Sequence, residues 1–330
     1  MSSGIKGEFH QMDEPGSSGF PQSVVAPIEP LPPQACLLNG PSGVGWGFLL
    51  YLVIFAAVLF VSSLLLRFLL PHGMASIWKS VVGELGFMVS AFVPGFVMAR
   101  IENRPFGVYG LPRQSAFGRL FWIGMLWGIV ALSALMISMR VAGVFHFGGL
   151  ALGGLRIFKF GVFWAVFFVV VALVEEFLLR GYTQFTLTRG LGFWPTALIL
   201  SCTFGAIHLG NQGEDKVGAL GAAIIGLFFC LTLQRTGSLW FAVGLHASWD
   251  WGETFFYSVP NSGLVAPGHL LNSWFEGPQW LTGGSVGPEA SIFVFIVMAL
   301  MAVIFHFAYP PIKRVEPGLA PAATRVSYQE

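Results

Sequence analysis

Between Trp46 and Arg67 the chain reads GFLLYLVIFAAVLFVSSLLL, an unbroken apolar run with no charge. A hydrocarbon core demands roughly 20 such residues in helical form. A segment of this kind commits its surroundings, because lipid tolerates only backbones whose hydrogen bonds are closed within a helix or a barrel. Composition agrees. Charged residues make up 10% of the chain and hydrophobic ones 55%, against about 25% charged in an ordinary soluble domain.

Further apolar segments place spans near 46–70, 77–99, 117–139, 158–187, 193–209, 217–234, 238–257 and 290–309. Pro71-His72-Gly73, Arg104-Pro105, Leu111-Pro112-Arg113, Gly190-Leu191-Gly192 and Thr236-Gly237-Ser238 punctuate them. The expected fold is all-α: a polytopic membrane helical bundle of about eight transmembrane helices with a four-helix catalytic core. Its divisions are a Pro/Gly/Ser-rich tail over 1–45, expected to be extended or disordered, flanking helices over 46–157, and the core over 158–257. A loop, last helix and C-terminal tail follow over 258–330. The fifth to seventh segments are rich in Gly, Ser and Thr, which lets helices approach closely in lipid. That marks the second half as the packed bundle and the first three helices as a flanking layer. Trp274 and Trp280, in the long loop 258–289, suit the bilayer interface.

The N-terminal tail lacks the apolar core of a cleaved signal peptide. Arg100, Arg104, Arg113, Arg119, Arg189 and Arg235 fall on the same side as both termini, which favours cytoplasmic termini in a multi-pass protein of the plasma (inner) membrane. A formal charge of +1 points to no nucleic-acid partner. Cys36, Cys202 and Cys230 have no CxxC spacing and suggest neither a disulfide framework nor a thiolate metal site.

Six ionisable residues stand where lipid depth makes each cost about 2.5–3.5 kcal/mol, which normally marks a site facing a bundle interior. Glu176 and Arg180 are four apart and can neutralise each other on one helix face. Glu175, about 100° round the helix, stays free to face a cavity; the alternative is a wet helix end at the interface. Phe204 and His208 share a face, and His208 taken alone reads more readily as a core or interfacial histidine than as a catalytic one. His246, Asp250 and Glu253 form one helical stripe, in which Asp250 can orient His246 and Glu253 reads as a solvated helix end. Glu84 is a further acid inside a span, suited to function or to a hydrogen bond across a helix interface. A carboxylate with two imidazoles around a water is a hydrolytic set, with or without a metal. Glu175, His208, His246 and Asp250 also include the ligand types of an open zinc site.

The ordered patterns Glu175-Glu176…Arg180, Phe204…His208 and His246…Asp250 resemble the EExxxR, FxxxH and HxxxN/D motifs of the CAAX-protease and bacteriocin-processing (CPBP/Abi) family. These are intramembrane endopeptidases of the type II CAAX prenyl endopeptidase kind. The resemblance covers about residues 160–257. It implies that Glu175 activates the attacking water with help from His208, and that His246 and Asp250 stabilise the oxyanion or hold water. Glu176, Arg180 and Phe204 take supporting roles. Asp250 stands where family members often have Asn, and an ionised Asp cannot donate a hydrogen bond. The family leaves both a divalent-metal mechanism, zinc for instance, and a metal-free glutamate mechanism open. The implied partners are a protein or peptide substrate and the lipid bilayer, with oligomeric state unspecified. Two rival classes remain: a non-catalytic immunity or scaffold protein of the same fold, and an ion-coupled transporter, which also uses buried carboxylates.

Overall fold

A computed structural model describes residues 41–71 and 73–311. The tail as far as residue 40 with His10 and Cys36, His72, and the C-terminal Lys313, Arg314 and Arg325 lie outside the described residues. Eight main helices follow the apolar segments: α1 (Pro41–Leu69), α2 (Ser76–Ile101), α3 (Arg119–Val141), α4 (Leu155–Arg180), α6 (Phe193–His208), α7 (Lys216–Thr236), α8 (Trp240–Trp251) and α10 (Ile292–Ala308). Short α5 (Tyr182–Leu191) and α9 (Gln279–Thr282) lie between them. The first helix thus begins inside the expected tail, at Pro41.

Among the described residues, five spans are long and apolar enough to cross a membrane: Gly43–Leu69, Ser76–Ile101, Arg119–Val141, Leu155–Leu191 and Lys216–Thr236. Helices α6 and α10 are apolar but shorter, and α8 has 12 residues before it widens into a π-helical turn, Gly252–Tyr257. Their outward faces are apolar, with Phe60, Phe68, Trp122 and Phe307 all more than half exposed, as suits lipid rather than water. The chain is an integral membrane helical bundle.

The expected fourth helix is two. It breaks at Gly181, where a Cβ would run into the Phe177 carbonyl, and Thr183 Oγ1 donates to the carbonyls of Leu178 and Leu179 at 2.6 and 2.7 Å. A helix end leaves such carbonyls without partners, so this hydroxyl closes α4 just after Arg180. At the opposite polarity, the Asp215 carboxylate accepts from Val217 N and Gly218 N at 2.8 and 3.0 Å and caps α7.

The first three helices are not a separate layer. Gly124 and Gly128 of α3 face α8 so closely that a Cβ would meet the Phe241 carbonyl and Ser248 Oγ, and Gly244 returns the contact against the Phe121 carbonyl. This glycine seam brings the α3 and α8 backbones together, the packing that drives association in lipid. Leu132, Leu135, Met136 and Met139 extend it onto Phe241, Leu245 and Trp249, and α10 closes the cluster with Met298, Met301 and Phe305. On the other side Phe177 of α4 stacks on Phe92 of α2 at 4.6 Å. Gly244→Val inserts branched carbons against backbone that has nowhere to go, so we expect the upper end of the about 1–3 kcal/mol typical of overpacking. Thermal unfolding in detergent followed by tryptophan fluorescence checks this, and a wild-type midpoint would contradict the seam.

The segment 258–289 is more ordered than a plain loop. Strand β2 (Trp274–Phe275) pairs antiparallel with β1 (Phe145–His146), and a bridge joins Leu150 to Leu271. Trp274 is half exposed and stacks on His146 with ring centres 5.2 Å apart; Trp280 is 63% exposed.

Candidate active site

The C-terminal turns of α4 carry two adjacent acids that point to different places. Glu176 and Arg180 are fully buried, with Arg180 Nη1 donating to Glu176 Oε1 at 3.3 Å. The guanidinium also lies over the face of Phe204 at 4.5 Å and near Phe229 at 5.6 Å, contacts that aromatic rings make favourable for a desolvated cation. Phe204 therefore packs the ion pair from α6. Gly226 of α7 completes the enclosure, since a Cβ there would collide with Arg180 Nη2. Glu175 has its side chain 27% exposed and faces the neighbouring cavity.

His246 comes from α8 and is reached by three carboxylates. Its Nδ1 lies 3.0 Å from Glu176 Oε1, its Nε2 3.7 Å from Glu175 Oε2 and 3.5 Å from Asp250 Oδ2. With Nδ1–H donating to Glu176, the ring is oriented and Nε2 is aimed at the cavity. Phe229 stacks on the imidazole at 5.3 Å and fixes its plane. The orienting carboxylate is thus Glu176 from another helix, while Asp250 stands on the cavity side of the ring.

His208 ends α6 and lines the same cavity. Its Nδ1 sits 2.8 Å from the Phe204 carbonyl. A carbonyl only accepts, so Nδ1 carries the proton and Nε2 is the atom left for a reactant. The 16-residue α6 stops at the cavity, which puts His208 on the same lining as Glu175.

The cavity has a volume of about 570 Å³ and is bordered by Glu175, His208, His246 and Asp250 together. Three of its polar residues escaped sequence reasoning: Asn211, Asn261 and Glu289. They lie in irregular segments with no periodic signal. Glu289 Oε2 accepts from both the backbone N and Oγ of Ser262 at 2.7 Å, and Asn211 Nδ2 donates to the Ser262 carbonyl at 3.1 Å. These bonds pin the 258–264 strap over the site. Beside it, burial pushes the Glu214 carboxyl up from its ordinary range, with nearby Glu289 adding to the shift and the Asp215 N–H opposing it.

Glu253 does not form a solvated helix end. It is fully buried, and among the described residues both its carboxylate oxygens are unpartnered. The cause is the π-helical turn, which changes the angular step after Trp251 and rotates Glu253 off the expected stripe. Glu84 Oε1 is likewise shut from solvent without a partner among the described residues, so the expected bond across a helix interface is not made through it, and the residue borders the cavity.

Among the described residues no three His, Cys, Asp or Glu side chains are grouped so as to hold a metal ion. His246 is already engaged through Nδ1, and its Nε2 is shared between two carboxylates at 3.5 and 3.7 Å. The donor set does not fit a metal, so no step below runs through one. Cys230 is buried against Gln184 and Ser201, and Cys202 is exposed; neither faces the site.

The fold and site define a membrane helical bundle whose interior holds a carboxylate–imidazole cavity backed by a buried ion pair. Residues 157–252, from α4 to the start of the π-helical turn, match the family model described as type II CAAX prenyl endopeptidase Rce1-like. That match supports the CAAX-protease family for this segment. None of the curated proteins matches the chain.

Proposed function

We propose that the protein is an intramembrane endopeptidase that hydrolyses a peptide bond of a protein or peptide substrate by direct attack of water. The observation that carries this reading is Glu175 facing His246 across the edge of a cavity, with Glu176 and Arg180 neutralised behind it. Glu175 takes a proton from water while the lone pair of His208 Nε2 holds that water by accepting its other hydrogen. The hydroxide oxygen bonds to the substrate carbonyl carbon, and the developing oxyanion lies against Nε2–H of His246, which donates through both nitrogens as an imidazolium among three carboxylates. Fixed donors aimed at a developing oxyanion contribute typically 10²–10³-fold in rate.

Asp250 supports this arrangement as a polar neighbour of His246. Replacing it with Asn keeps the shape and adds a donor, so Asp250→Asn should retain at least about a tenth of wild-type activity. Asp250→Ala should lose about 100-fold. Equal rates for the two variants would remove Asp250 from the site.

The reading is tested with purified full-length protein in liposomes and a panel of internally quenched peptides, with and without an S-prenylated cysteine near the C-terminus. We expect cleavage of at least one peptide at a rate unchanged within about twofold by chelators, as a general acid–base site requires no metal. No cleavage across the panel, alongside a folded protein, would favour a scaffold. Chelator-sensitive cleavage restored by zinc would replace the metal-free mechanism.

A further inference from the structure

Glu84 is an acid on the cavity wall that packing does not explain. It is the one acidic residue of α2, and a carboxyl side chain within a spanning helix is costly unless it pairs or faces a wet cavity. Among the described residues no donor satisfies its Oε1. Instead the residue borders the reaction cavity on its α2 wall, beside Ser80 and Gly83, while Glu175 belongs to the α4 wall and Asp250 to the α8 wall. Glu84 also lies outside residues 157–252, so the family match says nothing of it.

Hydrolysis of an amide requires two proton transfers at different atoms. One proton leaves the water oxygen, and another must reach the amide nitrogen before the C–N bond can break. Glu175, with Oε2 at 3.7 Å from His246 Nε2, is placed for the first. Enzymes that run both transfers with carboxyl groups hold the two in different environments. Here Glu175 has an imidazole nitrogen 3.7 Å from its Oε2, whereas Glu84 makes no ion pair among the described residues, so the two line one cavity in different electrostatic surroundings although each has one oxygen closed to solvent.

We propose that Glu84 is the second catalytic carboxyl, the general acid that protonates the departing amine. This rests on the hydrolytic reading of the cavity. The Glu175 carboxylate accepts a proton from water as the O–C bond forms and the carbonyl oxygen becomes an oxyanion. The Glu84 carboxylic acid gives its proton to nitrogen as the C–N bond breaks and the C=O bond reforms. The products are a carboxylic acid and an amine, leaving Glu175 protonated and Glu84 ionised. Transfer of one proton from Glu175 to Glu84 through cavity water restores the starting state.

A thiolate leaving group needs no such acid, since a free thiol has a pKa of only about 8.5. The experiment compares the peptide that wild-type protein cleaves fastest with its thioester analogue, in which sulfur replaces the scissile N–H. Both are measured in single turnover with full-length protein in liposomes. Glu84→Gln should lower the amide-to-thioester rate ratio about 100-fold, in the range of general acid catalysis. Glu84→Asp should recover part of the amide rate, and Glu175→Gln should depress both rates because water attack is common to them. A ratio unchanged in Glu84→Gln, whether both rates fall or neither does, would overturn the assignment. Failure of the hydrolytic reading looks different: Glu175→Gln would then keep both activities.

Discussion

Glu175→Gln is expected to lower the cleavage rate at least about 10³-fold while leaving folded protein and thermal midpoint close to wild type. Amide and carboxylate have nearly the same shape, so packing at the α4 wall is preserved. The amide nitrogen and oxygen cannot take a proton from water, so the general base is lost, and such a base contributes about 10²–10⁴-fold. Stability is spared because Glu175 is partly exposed and belongs to no pair with Arg180, whose guanidinium is engaged by Glu176. Rates on the best panel peptide, with thermal unfolding of the same preparations, separate these effects. Full activity in the variant would remove Glu175 from the mechanism.

The neighbouring position should behave in the opposite way. Glu176→Ala or Arg180→Ala leaves an uncompensated charge where both side chains are fully buried, and breaking a buried pair costs about 3–5 kcal/mol. That is a large part of the about 5–15 kcal/mol that holds a domain folded, so each variant should show strongly reduced folded protein in membranes. Removing both charges is gentler. The double variant Glu176→Leu/Arg180→Met replaces the pair with apolar side chains of similar length and should restore abundance, since such exchanges are often neutral or stabilising. Activity should remain lost, because His246 Nδ1 no longer has the acceptor that lies 3.0 Å away. Quantifying folded protein by size-exclusion fluorescence and cleavage in the same samples tests both halves. A single-charge variant with wild-type abundance would contradict the ion pair's structural role.

The contrast between these adjacent glutamates was legible in the sequence, because helical geometry alone puts Glu176 and Arg180 on one face and Glu175 on another. What Glu176 does beyond its own helix was not. Its bond to His246 joins residues 70 apart in sequence, and the i, i+4 spacing of His246 and Asp250 suggested a different orienting group. The apolar runs located the main helices, yet the break at Gly181 depends on a close approach to the Phe177 carbonyl, which no periodicity reveals. Glu253 was misread for a related reason: the stripe assumed an α-helical step through a turn that is π-helical. Glu289, Asn211 and Asn261 reach the cavity from irregular segments, where side-chain direction depends on the tertiary path. The role of α3 was hidden as well, because Gly124, Gly128 and Gly244 matter only once the two backbones meet.

Direct attack of water at a site run by Glu175 makes a claim about where the substrate's atoms travel. The decisive measurement is single-turnover cleavage of the best panel peptide in oxygen-18 water, quenched near one half-time, with products and protein weighed together by mass spectrometry. The new carboxyl terminus should carry one heavy oxygen, and the protein should keep its native mass throughout. A protein species heavier by a peptide fragment, or peptide that stays intact at every time, would contradict the account.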